Sequence, residues 1–496
     1  MTDSGTLSEA VWLGIDLGTQ SVRALVVSSS GKVLGNGSQK FTSRRDGPRH
    51  EQDPSQWWEC TAAACRAAMQ SIPADSLRGL AVDGTSGTIL FMDSSGQPLT
   101  PGLMYDDTRA IHEARLATDS GATVWQSLGY NRMQPAWVLP KLLWLLRHEP
   151  YLAKSGKLAH QTDFINHRLI GSAGPSDSSN TLKTGYDLVH QCWPSEVMEN
   201  LGVPEKILPP VVRSGAVIGT VCKAAAEMTG IPAGTPVVAG MTDGCAAQIR
   251  AGALSPGSWN SVLGTTLVLK GVTTQPLSDP NGVVYSHRSP DGNWLPGGAS
   301  SVGAGILSAE FPNRDLDQLS ALAAEHELAN AITYPLAGRG ERFPFDAPDA
   351  CKFTLGKPRD DVDRFASLLQ GIAFVERLCF DYLDWLGADV NGRLTLTGGG
   401  ARSRYWCQLR ADVLDRTVTL VENAEPAMGM AILAAAQGRS LAEVAGAMVT
   451  VRETIDPRPD RHRRFTEPYL RLIDELARHG WLPAVVTQHT IKRATR

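Results

Sequence analysis

The chain has 496 residues, of which 42% are hydrophobic and 20% are charged, and its formal net charge is −4. This length favours two large domains, and the composition is typical of a soluble globular protein and excludes a disordered or fibrous one. The weak negative charge offers no basic surface to a nucleic acid or to an anionic membrane.

The eight cysteines are scattered along the chain without CxxC or Cys/His ligand spacing, so they predict neither a disulfide framework nor a zinc site and fit a reducing compartment. The N-terminus "MTDSGTLSEA" lacks the basic start and apolar stretch of a signal peptide. No apolar run approaches the roughly 18 residues that a spanning helix needs. We therefore expect a cytoplasmic protein with no membrane partner.

The N-terminal part opens like a β-meander, in which "VWLGIDLG" is followed by "VRALVVSSSGKVLGNGSQKF", two strands joined at a Ser-Ser-Gly turn. The stretch "DPSQWWECTAAACRAAMQSI" predicts a helix, with Asp53 as its cap and Pro54 at its first position. Next, "LRGLAVDGTSGTILFMDSSGQPL" predicts a strand, a glycine-rich corner and another strand.

A similar strand–corner–strand pattern returns in "GSWNSVLGTTLVLKGVT" (257–273), and the two copies predict duplication into two similar domains. The alternative is that both copies are a common kind of hairpin. The Ser255-Pro256-Gly257 stretch marks the predicted boundary. The predicted domains are 11–255 and 256–482, and the predicted terminal extensions are 1–10 and 483–496.

The C-terminal part contains apolar residues at helical spacing over 360–387, which predict a core helix. The segment "LTGGGARSRYWCQLRADVL" predicts a strand, three glycines and a helix, and "AMGMAILAAAQG" predicts a closely packed helix. The basic tail "TIKRATR" is expected to be a solvated or frayed terminus.

The two Gly-Thr corners are candidate phosphate sites, because glycine leaves backbone N–H groups accessible to an anion and threonine adds a hydroxyl donor. They are residues 17–20 (Leu-Gly-Thr-Gln) and 263–266 (Leu-Gly-Thr-Thr). Asp16 precedes the first corner within an apolar strand, where a carboxylate is costly unless a cation such as Mg²⁺ meets it. The alternative for Asp16 is a strand-end residue that is hydrogen-bonded locally.

Asp243 lies where a predicted strand gives way to a helix. One interpretation is an N-cap, since the helix dipole favours an ionised carboxylate there. The other is a general base that accepts the proton of an alcohol as its oxygen attacks phosphorus. A P-loop motif is absent from the sequence, and the triple glycine 398–400 does not continue into a dinucleotide-binding pattern.

In this order and spacing the segments resemble the FGGY carbohydrate kinases. The segment "GIDLGTQSVRALVV" is similar to the first phosphate motif of that family and "SVLGTTLVLKG" to the second, "GMTDGCAAQIRAGAL" to the segment with the catalytic base, and "LTGGGARSRYWCQLRADVL" to the adenosine segment. The resemblance implies an α/β fold of two actin-like domains, of the ribonuclease H-like type found in hexokinase and Hsp70, with a nucleotide and sugar cleft between them.

The resemblance also implies ATP and Mg²⁺ as cofactors and assigns roles to matching positions. Asp16 would organise Mg²⁺, and Asp243 would be the base and contact the sugar. The nucleotide would be held by Gly18, Thr19, Gly264, Thr265, Thr266, Gly399, Gly400 and Ser403. The mechanism requires Asp16 and Asp243 to converge across a groove between the domains.

The sequence determines the identity of the sugar less well than it determines the family. Common xylulokinases carry a Gly-Gln-Met/Gln-His-Gly loop where this chain has "DGTSGT" (83–88), and several segments look like pentulose kinases that favour D-ribulose. Ser86 could contact the sugar or only close a turn. Asp107 and Arg109 match a Trp-x-Asp-x-Arg sugar signature in which Tyr105 replaces the tryptophan, although Arg109 could equally form a structural ion pair.

We therefore expect ATP-dependent conversion of D-ribulose to D-ribulose 5-phosphate. D-Xylulose, or another keto-sugar or polyol, is the alternative within the family. A catalytically weak actin-like ATP-binding scaffold is the alternative from another class. A homodimer is possible, because many members of the family self-associate.

Overall fold

The structure is a computed structural model that describes residues 9–422 and 425–495. The chain forms two compact units. The first comprises the described parts of Met1–Gly252 and Asn423–Thr450 together with His287–Asn293, and the second comprises Ala253–Ser286, Trp294–Glu422 and the described part of Val451–Arg496. The units differ from the predicted domains 11–255 and 256–482, because two later segments return to the first unit.

The β-strands, numbered along the chain, are β1 Val11–Leu17, β2 Ser21–Ser28, β3 Val33–Lys40, β4 Arg44–Asp46, β5 Arg49–Gln52, β6 Leu77–Gly84, β7 Ile89–Met92, β8 Gly102–Leu103, β9 Lys157–His160, β10 Ser176–Asp177, β11 Val211–Val212, β12 Val217–Thr220, β13 Pro236–Val238, β14 Trp259–Leu263, β15 Leu267–Gly271, β16 Tyr285–Arg288, β17 Trp294–Ala299, β18 Ile332–Tyr334, β19 Phe353–Leu355, β20 Leu394–Thr397, β21 Val418–Val421 and β22 Val451–Ile455.

The α-helices are α1 Pro54–Met69, α2 Ile111–Ser120, α3 Ala122–Ser127, α4 Val138–His148, α5 Leu152–Ser155, α6 Gln161–Ile170, α7 Ser195–Asn200, α8 Lys223–Thr229, α9 Asp243–Arg250, α10 Gly305–Glu310, α11 Leu316–Ala323, α12 Asp361–Trp385, α13 Arg404–Leu414, α14 Pro426–Ala435, α15 Leu441–Met448, α16 Arg461–Arg478 and α17 Ala484–Ala494. Short 3₁₀ helices lie at Ala74–Ser76, Asn180–Thr184, Glu205–Ile207, Ala324–His326 and Gly399–Ala401. Among the described residues, no helix combines the length and apolar character needed to cross a bilayer.

The first unit is built on a sheet with the strand order β12-β13-β6-β1-β2-β3. Strands β1, β2 and β3 form the predicted antiparallel meander, and β6 and β13 add parallel to the β1 side. Both faces of β1 are covered, and its apolar residues are buried in the core of this unit. The carboxyl ends of β1, β6 and β13 therefore meet at one edge of the sheet.

Helix α14 belongs to the first unit because it packs against the sheet of that unit. The predicted close packing is confirmed: nearly every residue of α14 is buried, and α14 lies against β1 and α9. A Cβ atom on Gly14 of β1 would overlap the carbonyl oxygen of Ala427, and one on Gly429 would overlap that of Ala246. The small residues of these elements thus allow backbone-to-backbone contact.

The second unit repeats this topology in a sheet with the order β16-β17-β15-β14-β20-β21-β22. Strands β14, β15 and β17 are antiparallel neighbours, and β20 and β21 add parallel to the β14 side. The long helix α12, predicted from its apolar spacing, runs through the core of this unit. The repeated strand order agrees with the duplication predicted from the two Gly-Thr corners.

The basic tail is not frayed, because its residues 490–494 belong to helix α17, although Lys492 and Thr495 are exposed to solvent as the other alternative expects. Helix α17 packs on α12, where the guanidinium of Arg493 donates to Asp381 at 2.8 Å and His489 pairs with Asp384 at 2.8 Å. Asp381 and Asp384 of α12 thus hold Arg493 and the preceding His489 against the fold. Of the predicted extension 1–10, residues 1–8 lie outside the described residues.

Candidate functional site

Three carboxylates lie at the carboxyl edge of the sheet in the first unit. Asp16 near the end of β1 and Asp83 near the end of β6 are directly opposite each other in the parallel register. A bridge between Gly84 and Thr242 extends the pairing to the residue before Asp243. The strand register therefore brings Asp16 and Asp243 together with a third acidic residue.

Asp16 and Asp83 form a buried carboxyl pair. Asp16 is 6% exposed and Asp83 is fully buried, and within the described residues neither oxygen of Asp83 meets an N–H or O–H donor. Burial, together with the charge of Asp243, raises the pKa of Asp16 to about 6, although its hydrogen bond with Asp83 acts in the opposite direction. Burial and the charge of Asp16 raise the pKa of Asp83 well above its ordinary range. Asp16 is thus the more easily ionised of the two, and the proton that the pair retains lies mainly on Asp83.

Asp243 begins helix α9 and is not its cap. The cap position is occupied by Thr242, whose side chain makes no capping hydrogen bond, and Oδ1 of Asp243 accepts from the main-chain N–H of Gly244 at 2.7 Å. The start of this helix is held by Ser179, whose Oγ accepts from the N–H of Thr242 at 3.2 Å. Asp243 and Asp16 both lie in the first unit, so they do not converge across a groove between domains as expected.

Two arginines and a glutamate complete the charge distribution around Asp16. The guanidinium of Arg250, at the end of α9, is buried, and its Nε and Nη1 have no hydrogen-bond partner among the described residues. Burial lowers the pKa of Arg250 to about 10, opposed by the charges of Glu425 and Asp16, so it stays protonated at neutral pH. Arg23, opposite Asp16 on β2, forms an ion pair with Glu425.

The first Gly-Thr corner follows Asp16 immediately. The N–H of Gly18 donates to the carbonyl of Ser21 at 3.0 Å and closes the β1–β2 hairpin. The carbonyl of Thr19 accepts from the side-chain amide of Gln52 at 2.7 Å, which fixes the corner to the end of β5. Gly18 and Thr19 are both partly accessible.

Ser86 lies in a tight turn directly beyond Asp83. The N–H of Thr88 donates to the carbonyl of Thr85 at 3.1 Å, and Gly87 has φ of +108°, a backbone conformation that favours glycine. Ser86 is half-buried, and its Oγ has no hydrogen-bond partner within the described part of the chain. Ser86 thus belongs to a turn and still has an unused hydroxyl, so its contact with a sugar stays a prediction.

Asp107 and Arg109 form a structural ion pair. Nη2 of Arg109 donates to Asp107 at 2.6 Å and to Glu51 at 2.6 Å, and Asp107 also accepts from the N–H of His50 at 2.8 Å. The Arg109 guanidinium stacks over the ring of Trp144 at 4.9 Å. These contacts fix the 104–109 segment to β5, and a direct sugar contact by either residue stays a prediction.

The second Gly-Thr corner connects β14 to β15 in the second unit. The carbonyl of Gly264 accepts from the N–H of Ala304 at 2.9 Å, and that of Thr265 accepts from the N–H of Gly305 at 3.1 Å. Thr265 is exposed, and Gly264 and Thr266 are partly exposed. The corner is rigidly supported from one side and accessible on the other.

The triple glycine lies beside this corner. A Cβ atom on Gly398, whose φ is +83°, would approach the carbonyl oxygen of Leu263 to 2.6 Å, and one on Gly400 would approach the Leu263 side chain to 2.6 Å. Gly399 is exposed, with open space where its Cβ would lie. Two glycines are thus required by packing, and the third leaves room for a ligand.

Ser403 has a structural role that the sequence does not reveal. It caps α13, accepting from the N–H of Trp406 at 3.2 Å, and its Oγ is also 2.6 Å from that of Ser320. A role for Ser403 at the adenosine stays a prediction.

Asp83 and Arg250 are not among the site residues that the sequence singles out. Asp83 stands in "AVDGTSGT", where the glycine-rich corner is more conspicuous than the carboxylate before it. Its likeness to Asp16, each a carboxylate followed within a few residues by a Gly-Thr pair at the end of an apolar strand, is the signal that could have found it. Nothing in the sequence marks Arg250, since its proximity to Asp16 depends on tertiary packing.

Comparison with known proteins identifies the family. Residues 11–249 match the N-terminal domain of the FGGY family of carbohydrate kinases, and residues 259–438 match its C-terminal domain. The xylulose kinase of Staphylococcus epidermidis is 27% identical over 477 residues, which cover 92% of this chain and 95% of that protein. The xylulose kinase of Streptomyces coelicolor is 30% identical over 438 residues, which cover 85% and 87%.

Solved structures share the fold over nearly the whole chain. A xylulose kinase from Rhodospirillum rubrum matches with a TM-score of 0.84 and 26% identity, covering 94% of this chain and 98% of that one. A gluconate kinase from Lactobacillus acidophilus matches with a TM-score of 0.86 and 20% identity, covering 95% and 99%. Kinases of different sugars thus have this fold, which by itself does not determine the sugar. The chain belongs to the FGGY family of carbohydrate kinases and is an ATP-dependent sugar kinase with a two-domain α/β fold.

Proposed function

We propose that this protein phosphorylates a pentulose, with Asp243 accepting the proton of the sugar hydroxyl as its oxygen attacks the γ-phosphorus of ATP. The observation that carries the proposal is the position of Asp243 beside Asp16 at the carboxyl edge of one sheet. A base and a phosphate-side carboxylate are the two acidic functions that this reaction needs.

The reaction asks the protein mainly for positioning and charge neutralisation. The O–H bond of the sugar breaks as its oxygen bonds to phosphorus, the proton passes to Asp243, and ADP leaves with the electrons of the broken P–O bond. The Gly18–Thr19 corner directly after Asp16 offers main-chain and hydroxyl donors to phosphate oxygens. Gly264, Thr265 and Thr266 offer the same groups in the second unit, and the open space at Gly399 suits the adenosine.

The residues around Asp16 fit a magnesium ion. Mg²⁺ is usually held by one or two carboxylates together with phosphates and waters, so it does not need a site made of protein ligands alone. Within the described residues no group of three or more His, Cys, Asp or Glu side chains is arranged to bind a metal by itself. Asp16, the more easily ionised of the pair, would hold the ion. Asp83, which keeps the proton of the pair, would donate a hydrogen bond to Asp16 and so orient its carboxylate. The bound ion would neutralise charge on the phosphate oxygens.

D-Xylulose is the first candidate for the sugar, because the relatives named above are xylulose kinases. The D-ribulose predicted from the sequence is not supported by these comparisons. It remains the second candidate on one observation: the turn at 85–88 differs from the Gly-Gln-Met/Gln-His-Gly loop of common xylulokinases, and it presents the free hydroxyl of Ser86.

An ATP-binding scaffold without catalysis is the third candidate. Membership of a carbohydrate kinase family and the presence of both Asp16 and Asp243 speak against it.

The test is a coupled assay of ADP release with D-xylulose, D-ribulose, L-xylulose, L-ribulose, ribitol and glycerol, compared by kcat/KM. We expect a pentulose to give the highest value, with D-xylulose ahead of D-ribulose. The reverse order would favour the second candidate. Slow ATP hydrolysis that no sugar stimulates would contradict the proposed function and favour a scaffold.

A further inference from the structure

Lys141 is a buried lysine that connects two segments of the first unit. It lies in α4 with its side chain fully buried, and its Nζ donates to the carbonyl oxygen of Gly87 at 2.6 Å and to that of Met104 at 2.8 Å. Gly87 belongs to the turn at 85–88, and Met104 directly precedes the segment 105–109. One side chain therefore joins the two segments in which the sugar-contacting residues are proposed.

A second lysine holds the same turn from another side. Nζ of Lys183, at the end of the 3₁₀ helix Asn180–Thr184, donates to the carbonyl oxygen of Ser86 at 2.9 Å. The consecutive carbonyls of Ser86 and Gly87 are thus each bonded to a different lysine.

The polar groups of Thr85 and Thr88 in the turn are bonded to the protein as well. The N–H and Oγ1 of Thr85 both lie 3.0 Å from Oε1 of Gln161, and Oγ1 of Thr85 is 2.5 Å from that of Thr88. The carbonyl of Thr88 accepts from the N–H of Gln161 at 3.1 Å. The turn is therefore held at both of its ends and at two of its carbonyls, and the hydroxyl of Ser86 has no hydrogen-bond partner among the described residues.

The second segment is fixed to β5 by the ion pair of Asp107 and Arg109. The strands next to the two segments are also paired, since Ile89 of β7 lies opposite Leu103 of β8. Lys141 adds a side-chain contact that bonds to a carbonyl of each segment. A lysine in this place is costly, because burial of an ammonium group is unfavourable and an apolar side chain would fill the space at lower cost. Its bonds to two main-chain carbonyls account for its presence.

We propose that Lys141 is a positioning residue for sugar recognition, which sets the separation of the 85–88 turn from the 104–109 segment, and that Lys183 supports it from the outer side of the turn. This inference rests on the proposed function. Small displacements of substrate-contacting groups are expensive in catalysis, so loss of Lys141 acts on the sugar and not on the nucleotide.

The test is Lys141→Met in the full-length protein, with the preferred sugar of the wild type. We expect the KM for the sugar to rise about tenfold and the ratio of kcat/KM between the best two pentuloses to fall severalfold, whereas the KM for ATP stays within about twofold. A purely structural role would lower the active fraction, and therefore kcat, without changing the KM or the sugar ratio. That result would overturn the proposal.

Lys183→Met provides a second variant, since Lys183 is only half-buried and its replacement is better tolerated. We expect the KM for the sugar to rise in Lys183→Met as well, but by a smaller factor of about threefold. If Lys141→Met does not fold, an unchanged sugar KM and sugar ratio in Lys183→Met overturns the proposal. Lys154→Met, at an exposed position of α5, is the matched control and should behave as the wild type.

The two proposals fail in different ways. A wild-type protein that no sugar stimulates contradicts the proposed function. A wild type that phosphorylates a sugar, beside lysine variants with an unchanged sugar KM, contradicts only the role of Lys141.

Discussion

Asp16 and Asp83 show how two carboxyl groups can occupy one buried site. Two ionised carboxylates that lie side by side and are buried away from water would repel each other strongly. The pair therefore retains one proton. The burial of Asp83 is complete, and that of Asp16 nearly so, which assigns the proton mainly to Asp83. Asp83 therefore acts as a neutral donor and Asp16 as the charged partner.

Replacement of Asp83 tests this division. Asp83→Asn keeps a neutral donor beside Asp16, so we expect a folded enzyme that retains its rate within about tenfold. Asp83→Leu removes the donor and leaves Asp16 without its partner, so we expect a loss of about a hundredfold in kcat/KM. Steady-state kinetics measure the loss of kcat/KM in each variant, and equal losses in the two variants would contradict a role for Asp83 as donor.

Lys141 makes the stability of the protein depend on pH. Burial lowers the pKa of Lys141 from its ordinary value of 10.5 to about 7. Of the charges that face it, Asp107 and Asp106 act to raise this pKa, and Lys183 and Arg109 act to lower it further. Between these two values the unfolded chain binds a proton that the folded chain does not, so this group makes the folded state more stable as the pH rises.

The difference in unfolding free energy between the wild type and Lys141→Met should therefore change in favour of the wild type from about pH 7 to about pH 9, by on the order of 2 kcal/mol. Urea denaturation of both proteins at the two pH values measures it. Parallel pH curves for the two proteins would show that the pKa of Lys141 is not lowered.

At the scale of elements, the contact of β1 with α14 positions Asp16. Gly14→Ala would force its methyl group into the carbonyl oxygen of Ala427, so we expect a loss of about 1–3 kcal/mol in the free energy of unfolding. Gly446→Ala, in α15 with open space around it, is the matched control and should stabilise the protein by about 0.5–1 kcal/mol. A destabilisation of similar size in both variants would contradict the close packing of these elements.

The turn after β20 contains glycines that packing requires and one, Gly399, that is exposed with open space beside it. The Cβ that Gly399→Val adds has no protein atom within 4 Å, so we expect unchanged thermal stability and, if the adenosine binds here, a rise of about tenfold in the KM for ATP. Gly338→Val, at an exposed glycine with open surroundings in the same unit, controls for the added side chain and should leave both quantities unchanged. An unaltered KM for ATP in Gly399→Val would place the adenosine elsewhere.

For the whole molecule, local signals predicted the elements well. The cap of Asp53 on α1 is confirmed, with its carboxylate accepting from Ser55 at 2.9 Å, as are the β1–β2 hairpin and the long helix α12. Each depends on residues close in sequence, such as a cap, a turn or apolar spacing. The two-domain α/β fold followed from motifs in a fixed order, and it is confirmed.

Features that depend on tertiary packing were missed. The return of residues 425–450 to the first unit depends on small residues of β1 and α14 that face each other, and the docking of α17 depends on the carboxylates of α12. Asp83 becomes notable only through the parallel register with Asp16, and Lys141 only through the carbonyls that its side chain reaches. None of these partners is near in sequence.

Asp243→Asn tests most directly whether Asp243 is the base of a sugar-dependent phosphoryl transfer. Asp361→Asn, which also changes the first residue of a helix, is the matched control. With the preferred sugar, we expect Asp243→Asn to lose about 10²–10⁴-fold in sugar-stimulated ADP release while it still binds ATP, and Asp361→Asn to behave as the wild type. An Asp243→Asn variant that releases ADP at the wild-type rate would contradict the account.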